Sequence, residues 1–89
     1  MAPITVTHTS GNLYRVAVEE SGSRTAHDIT VTSDDVERYA PGATPERLVT
    51  ASFEFLLERE PKESIMRRFE LPVIERYFPE YGRVIREML

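Results

Sequence analysis

The stretch from Thr44 to Pro61, TPERLVTASFEFLLEREP, constrains the fold more than any other part of the chain. Thr44 supplies an N-cap oxygen, and Pro45 suits the first helical position because its missing N–H would have been unpaired there. Pro61 blocks continuation at the far end. These signals frame a helix over 45–59. At about 100° per residue, Ala51, Phe55, Leu48, Ser52, Leu56, Val49, Phe53 and Leu57 fill an apolar-to-small arc of about 240°. Thr50, Glu54, Arg47 and Glu58 are left as a narrow wet stripe. A surface helix needs less than half of that arc, so this helix has to be covered on at least two sides, by its own chain, by a second copy, or by both.

Upstream, three runs alternate with a period of two. Residues 3–9 set Ile4, Val6 and His8 against Thr5, Thr7 and Thr9; residues 13–20 set Tyr14, Val16 and Val18 against Leu13, Arg15, Ala17 and Glu19; residues 25–32 set His27, Ile29 and Val31 against Ala26, Asp28, Thr30 and Thr32. Bringing the apolar sets to one face pairs Val6 with Val16 and His8 with Tyr14 across a Ser10-Gly11-Asn12 loop. It also pairs Val18 with His27, Val16 with Ile29 and Tyr14 with Val31 across a Gly22-Ser23 turn. The expected fold is α+β: a three-stranded antiparallel β-meander packed on the central helix, followed by short helices punctuated by proline. Ser33-Asp34-Asp35 reads as an N-cap and acidic first turn of a short helix with Val36 and Tyr39 facing the core. Beyond Pro61, Ile65, Met66 and Phe69 recur at helical spacing, then Val73, Ile74, Tyr77 and Phe78, then Tyr81, Val84, Ile85, Met88 and Leu89, with breaks at Pro72 and Pro79.

The 89 residues are expected to form a single α+β domain, 1–89, with a small core, because a chain of this size buries only about 60–65% of its unfolded surface. The chain has no cysteine, hence no disulfide framework, thiol nucleophile or cysteine zinc site. Neither a leader nor a membrane-length apolar run is legible, and the expected location is cytoplasmic. The net charge of −4 argues against a general binder of phosphate backbones. It is uneven: residues 1–58 carry net −5, whereas 59–89 carry net +1. Ten of the eleven basic residues are arginine, which reads as a composition bias of a bacterial-type protein.

No catalytic constellation emerges. The expected register leaves His8 level with Tyr14 and Val31 and His27 level with Val18 and Ile4, about 13 Å apart along the strands, so no single metal ion joins them. Each reads as a sheet-end histidine at the margin of the core. Asp34 and Asp35 are explained by the helix dipole, and Glu54 with Glu58 by a solvated stripe. With no phosphate loop, no Ser/His/Asp order and no HExxH, the expectation is no enzyme, no cofactor and no metal.

Residues 63–78, ESIMRRFELPVIERYF, loosely resemble a helix-turn-helix, although Arg or Met and Glu70 stand where that motif has a small residue and a turn glycine. The Gly42-Ala-Thr-Pro-Glu46 opening after three strands is similar to the amino-terminal half of HicB-like antitoxins, from which this chain departs by the inserted Ser33–Ala40 segment. The helix start is also similar to that of OsmC-like peroxidases, whose reactive cysteines are missing here. The strand order is shared with double-stranded-RNA-binding domains, whose basic helix start is missing. The leading expectation is a protein-interaction or structural module acting as a homodimer, with Phe53 and Leu57 as candidate interface residues and another protein as a second class of partner. The alternative is an antitoxin-like or regulatory nucleic-acid binder contacting phosphates through Lys62, Arg67 and Arg68.

Overall fold

The computed structural model describes residues 3–89; Met1 and Ala2, which the reading of the amino terminus included, lie outside them. Strands β1 (Ile4–Ser10), β2 (Leu13–Glu20) and β3 (Ser23–Thr30) form the expected antiparallel meander. A fourth strand, β4 (Arg68–Glu70), adds parallel to β3, with Ile29 opposite Phe69. The three-stranded sheet expected from the sequence is therefore corrected to a four-stranded mixed sheet in the order β1-β2-β3-β4. A parallel pair needs a long crossover, and α1 (Ser33–Tyr39) and α2 (Pro45–Leu57) supply it. Two short helices, α3 (Val73–Tyr77) and α4 (Tyr81–Met88), complete the chain. The run expected to be helical from Lys62 to Phe69 instead holds one 3-10 turn, Lys62–Ser64, and then β4. Three residues are too few to show a period of two, and their strand character comes from β3 alone.

The β1–β2 register is the expected one, but the loop is tighter, with Ser10 opposite Leu13 and an irregularity between His8 and Ser10. The β2–β3 register differs by two residues: Val16 lies opposite His27 and Tyr14 opposite Ile29. A shift of two preserves every face, so agreement of faces could not separate the alternatives. The turn decides between them. Ser21 and Gly22 both have positive φ, 55° and 78°, as a type I′ turn requires. Val31, expected in the strand, lies past its end, where its N–H donates to Asn12 O at 2.8 Å.

Helix α1 begins one residue earlier than expected. Thr32 is the N-cap; its Oγ1 accepts from Asp35 N–H at 3.1 Å, and Asp35 Oδ2 accepts from Thr32 N–H at 2.9 Å. This reciprocal pair satisfies two otherwise orphaned donors. In α2, Thr44 Oγ1 accepts from Arg47 N–H at 3.2 Å, with Pro45 in the first turn, and the helix ends at Leu57, two residues short of the expected limit.

The wide apolar arc of α2 is covered by its own chain. Leu48, Val49, Ala51, Ser52, Phe53, Phe55 and Leu56 are all buried. The sheet contributes Tyr14, Val16, Val18 and Ile29 to the same core, and the tail contributes Phe69, Leu71, Ile74, Tyr81 and Ile85. Phe53 is 0% exposed, its ring 5.3 Å from that of His27 and 6.3 Å from that of Phe69. Phe55 meets Phe78 and Tyr81 edge-on, and the Arg59 guanidinium lies 3.6 Å above its ring. Truncating the side chain in this site leaves a cavity that both the sheet and the tail border. Phe53→Ala is expected to cost about 3–5 kcal/mol, read as a lowered urea midpoint, whereas Leu57→Ala, at a half-buried position, costs less.

Candidate functional site

The residues nominated from the sequence do not converge. Phe53 is buried between His27 of β3 and Phe69 of β4 and has no surface to present, while Leu57 is half-buried beside the core. Lys62 is 3% exposed: its Nζ donates to Ser23 Oγ and to Glu63 Oε2, both at 2.6 Å, and so ties the segment after α2 to the β2–β3 turn. That ammonium group faces inward and is not free to meet a phosphate. Arg67 and Arg68 are exposed on β4 and just before it. Arg68 reaches Asp28 at 3.9 Å, and Asp28 also meets Arg15 at 3.5 Å, so the three form a charge row across β2, β3 and β4 on the outer face. Pairs this exposed contribute at most about 1 kcal/mol each.

The histidines divide in character. His8 is exposed, stacked on Tyr14 with ring centroids 4.7 Å apart, and its Nε2 lies 2.7 Å from Gly11 O. His27 is not at the margin of the core, as the sequence suggested, but inside it at 2% exposure. Its Nδ1 lies 2.8 Å from Met66 O, a group that can only accept, so Nδ1 carries the proton and Nε2 accepts from Thr25 Oγ1 at 2.9 Å. The neutral ring thus clips the segment before β4 onto β3, across 39 residues of sequence. Burial lowers the His27 pKa most; the Met66 carbonyl opposes it, Arg67 adds to the lowering, and Asp28 opposes.

Between α1, α3 and α4 runs a second polar cluster. Tyr39 OH donates to Glu75 Oε1 at 3.0 Å, and Arg38 reaches the same oxygen at 3.2 Å. Tyr81 OH lies 2.6 Å from Ser52 Oγ, whose own hydroxyl donates to Leu48 O at 2.7 Å. Burial first, then the Glu75 carboxylate, pushes the Tyr39 pKa up to about 12, and burial raises that of Tyr81 too. Both phenols stay neutral at physiological pH and act as donors that hold helices together. Among the described residues no three His, Cys, Asp or Glu side chains gather as metal ligands, and no helix is long and apolar enough to cross a membrane.

What the fold does present is two sheet edges, each beside a groove. Along β1, a groove of about 530 Å³ is lined by Val6, by Arg47, Thr50 and Glu54 of α2, and by Met88 and Leu89 at the end of α4. Glu19 N–H donates to Pro3 O at 3.1 Å. By antiparallel alternation, Thr5 and Thr7 bond to β2, while Ile4, Val6 and His8 turn their N–H and C=O groups to the free edge. Strand β1, ITVTHTS, contains neither a lysine or carboxylate nor a proline to blunt it. The composition of this strand is legible in the sequence; that β1 keeps a free edge while β3 does not is decided by β4, which covers β3.

In comparison with known proteins, the chain matches no family model, no curated protein and no solved structure. The His27 clip provides a measurable property of this site. Because burial holds its folded-state pKa below the ordinary value of 6.5, the unfolded chain binds the proton more readily. Stability is full above about pH 6.5 and declines as pH falls from there towards the folded-state pKa. Urea midpoints measured from pH 7.5 to 5.5 should fall, and His27→Gln should flatten that slope.

Proposed function

We propose that this chain is a protein-interaction module that pairs with a second copy of itself along β1. The observation that carries the reading is the edge of β1, free of Lys, Arg and carboxylate side chains and covered by none of the described residues, whose outward N–H and C=O groups sit on Ile4, Val6 and His8. An antiparallel copy centred on Val6 sets Val6 opposite Val6 and Ile4 opposite His8 in both directions, a self-complementary ladder of six hydrogen bonds by this count. On the outer face the same register brings Thr5 opposite Thr7, a favourable cross-strand pair.

The wet stripe of α2 supports the same twofold. Arg47 and Glu54 lie two turns apart on the groove beside β1, and neither has an ion-pair partner among the described residues. Rotation about an axis through the paired strands runs the two α2 helices antiparallel. Arg47 of each copy then approaches Glu54 of the other, with Thr50 near the axis. The groove between them, with Met88 at its rim, closes against the copy.

Light scattering behind gel filtration is expected to show a dimer at micromolar concentration, and a strict monomer there would remove the reading. Val6→Pro deletes an N–H that points away from β2, so it should yield a monomer with an unchanged circular dichroism spectrum. Arg47→Glu should weaken the dimer about five- to thirtyfold, as expected for two partly exposed pairs of about 0.5–1 kcal/mol each, and adding Glu54→Arg should restore it. A gel shift at low salt separates the nucleic-acid alternative, in which Arg67 and Arg68 would meet phosphates: binding that falls linearly with log salt would favour that alternative.

A further inference from the structure

At the other edge of the sheet, the end of α2, the segment leading into β4, and α3 enclose a groove of about 260 Å³. Leu56, Ile65, Phe69, Ile74 and Phe78 give it apolar walls, and Met66 and Tyr77 stand beside it at 41% and 68% exposure. Among the described residues, one charged side chain, Glu60, lines this groove. Its carboxylate has no ion-pair partner among the described residues, and burial raises its pKa, as expected for an anion losing water with no cation in exchange.

The neighbouring backbone also has no partner among the described residues. Asp28 N–H donates to Arg67 O at 2.7 Å and Leu71 N–H to Thr30 O at 3.0 Å, which fixes the side of β4 that faces β3. By alternation, the N–H and C=O groups of Arg68 and Glu70 point away from the sheet. Phe69, between them, turns its side chain to the groove.

We infer that this edge receives an extended segment of a partner protein, which adds as a fifth strand beside β4, lays an apolar side chain in the groove and sets an arginine or lysine two positions along against Glu60. A period of two is what places both side chains on the same face. Strand addition satisfies the backbone of Arg68 and Glu70, and the charged side chain supplies the cation that Glu60 lacks. A small apolar amine would meet the second need and leave the first unmet, so a peptide is the occupant the two observations jointly select. The site is separate from β1 and does not depend on self-pairing there.

The test uses the full ¹⁵N-labelled, methyl-labelled chain and the synthetic peptide acetyl-Thr-Phe-Thr-Arg-Thr-Leu-Thr-amide, whose phenylalanine, arginine and leucine share one face. Saturable NMR shifts are expected at the amides of Arg68 and Glu70 and at the methyls of Ile65 and Ile74. The same peptide with glutamate in place of arginine should bind about tenfold more weakly, the scale of one charge-assisted hydrogen bond. Glu60→Gln, a half-exposed position whose loss leaves the core intact, should bring the two peptides to within about twofold of each other. Absence of saturable shifts at about 1 mM peptide, roughly the weakest affinity of interest, would overturn the proposal. So would equal binding of the two peptides to the unaltered chain, or shifts confined to β1. If hexylamine moves the groove methyls while the peptide leaves the β4 amides unmoved, the occupant is a small amine and the strand-addition proposal falls.

Discussion

The structure depends on burying both flanks of α2. A helix whose apolar arc spans about two thirds of its circumference cannot rest on a sheet alone, because a flat layer reaches only one stripe of it. Here Phe53 meets His27 of β3 and Phe69 of β4 on the sheet side, while Ser52 and Phe55 meet Tyr81 of α4, and Phe55 also meets Phe78, on the tail side. The consequence runs through the whole chain. The tail has to stay close to α2, so it is kept to short elements: a 3-10 turn, a three-residue strand and two helices of five and eight residues. None of these would be stable apart from the core they complete.

Holding such a tail in place falls to polar contacts at long sequence separation. His27 clips the Met66 carbonyl, Lys62 reaches back to Ser23, Tyr39 meets Glu75, and Ser52 meets Tyr81. Among the described residues no buried side-chain nitrogen or oxygen is left without a partner. Groups that would attract suspicion in a sequence, a buried histidine, a buried lysine and two buried tyrosines, are thereby accounted for as fasteners. Among the described residues, both sheet edges hold unpartnered groups: the backbone of β1 with Arg47 and Glu54 near it, and the backbone of β4 with Glu60 near it. The free hydrogen-bonding capacity of the described residues therefore lies at the sheet edges and not in the interior.

Local chemistry carried much of the fold into the sequence. The start of α2 follows from Thr44-Pro45, the three long strands follow from alternation, and the β1–β2 pairing follows from bringing Ile4, Val6 and His8 to the face of Tyr14, Val16 and Val18. The two-residue difference between β2 and β3 was invisible to that reasoning, since an even shift leaves every side chain on its face; the positive φ of Ser21 settled it. Strand β4 was invisible for a different reason. Phe69 falls at helical spacing from Ile65 and Met66, yet Arg68–Glu70 becomes a strand because Phe69 packs beside Phe53 while β3 offers its open edge.

The candidate surfaces divide along the same line. The uncharged run of β1 and the Arg47–Glu54 spacing on the wet stripe of α2 are properties of the sequence. Their place on one groove is not, because it requires α2 to lie over β1. The sequence by itself determined the class of β1, β2, β3 and the four helices, and that α2 needed two covers, but its helical spacing at Ile65, Met66 and Phe69 pointed the wrong way. Only the tertiary structure decided what the second cover was, and with it the burial of Phe53 and Lys62 and the creation of an edge at β4. The physical reason is that periodicity records how a segment meets one neighbour, whereas the choice among several neighbours is made by packing between residues far apart in the chain.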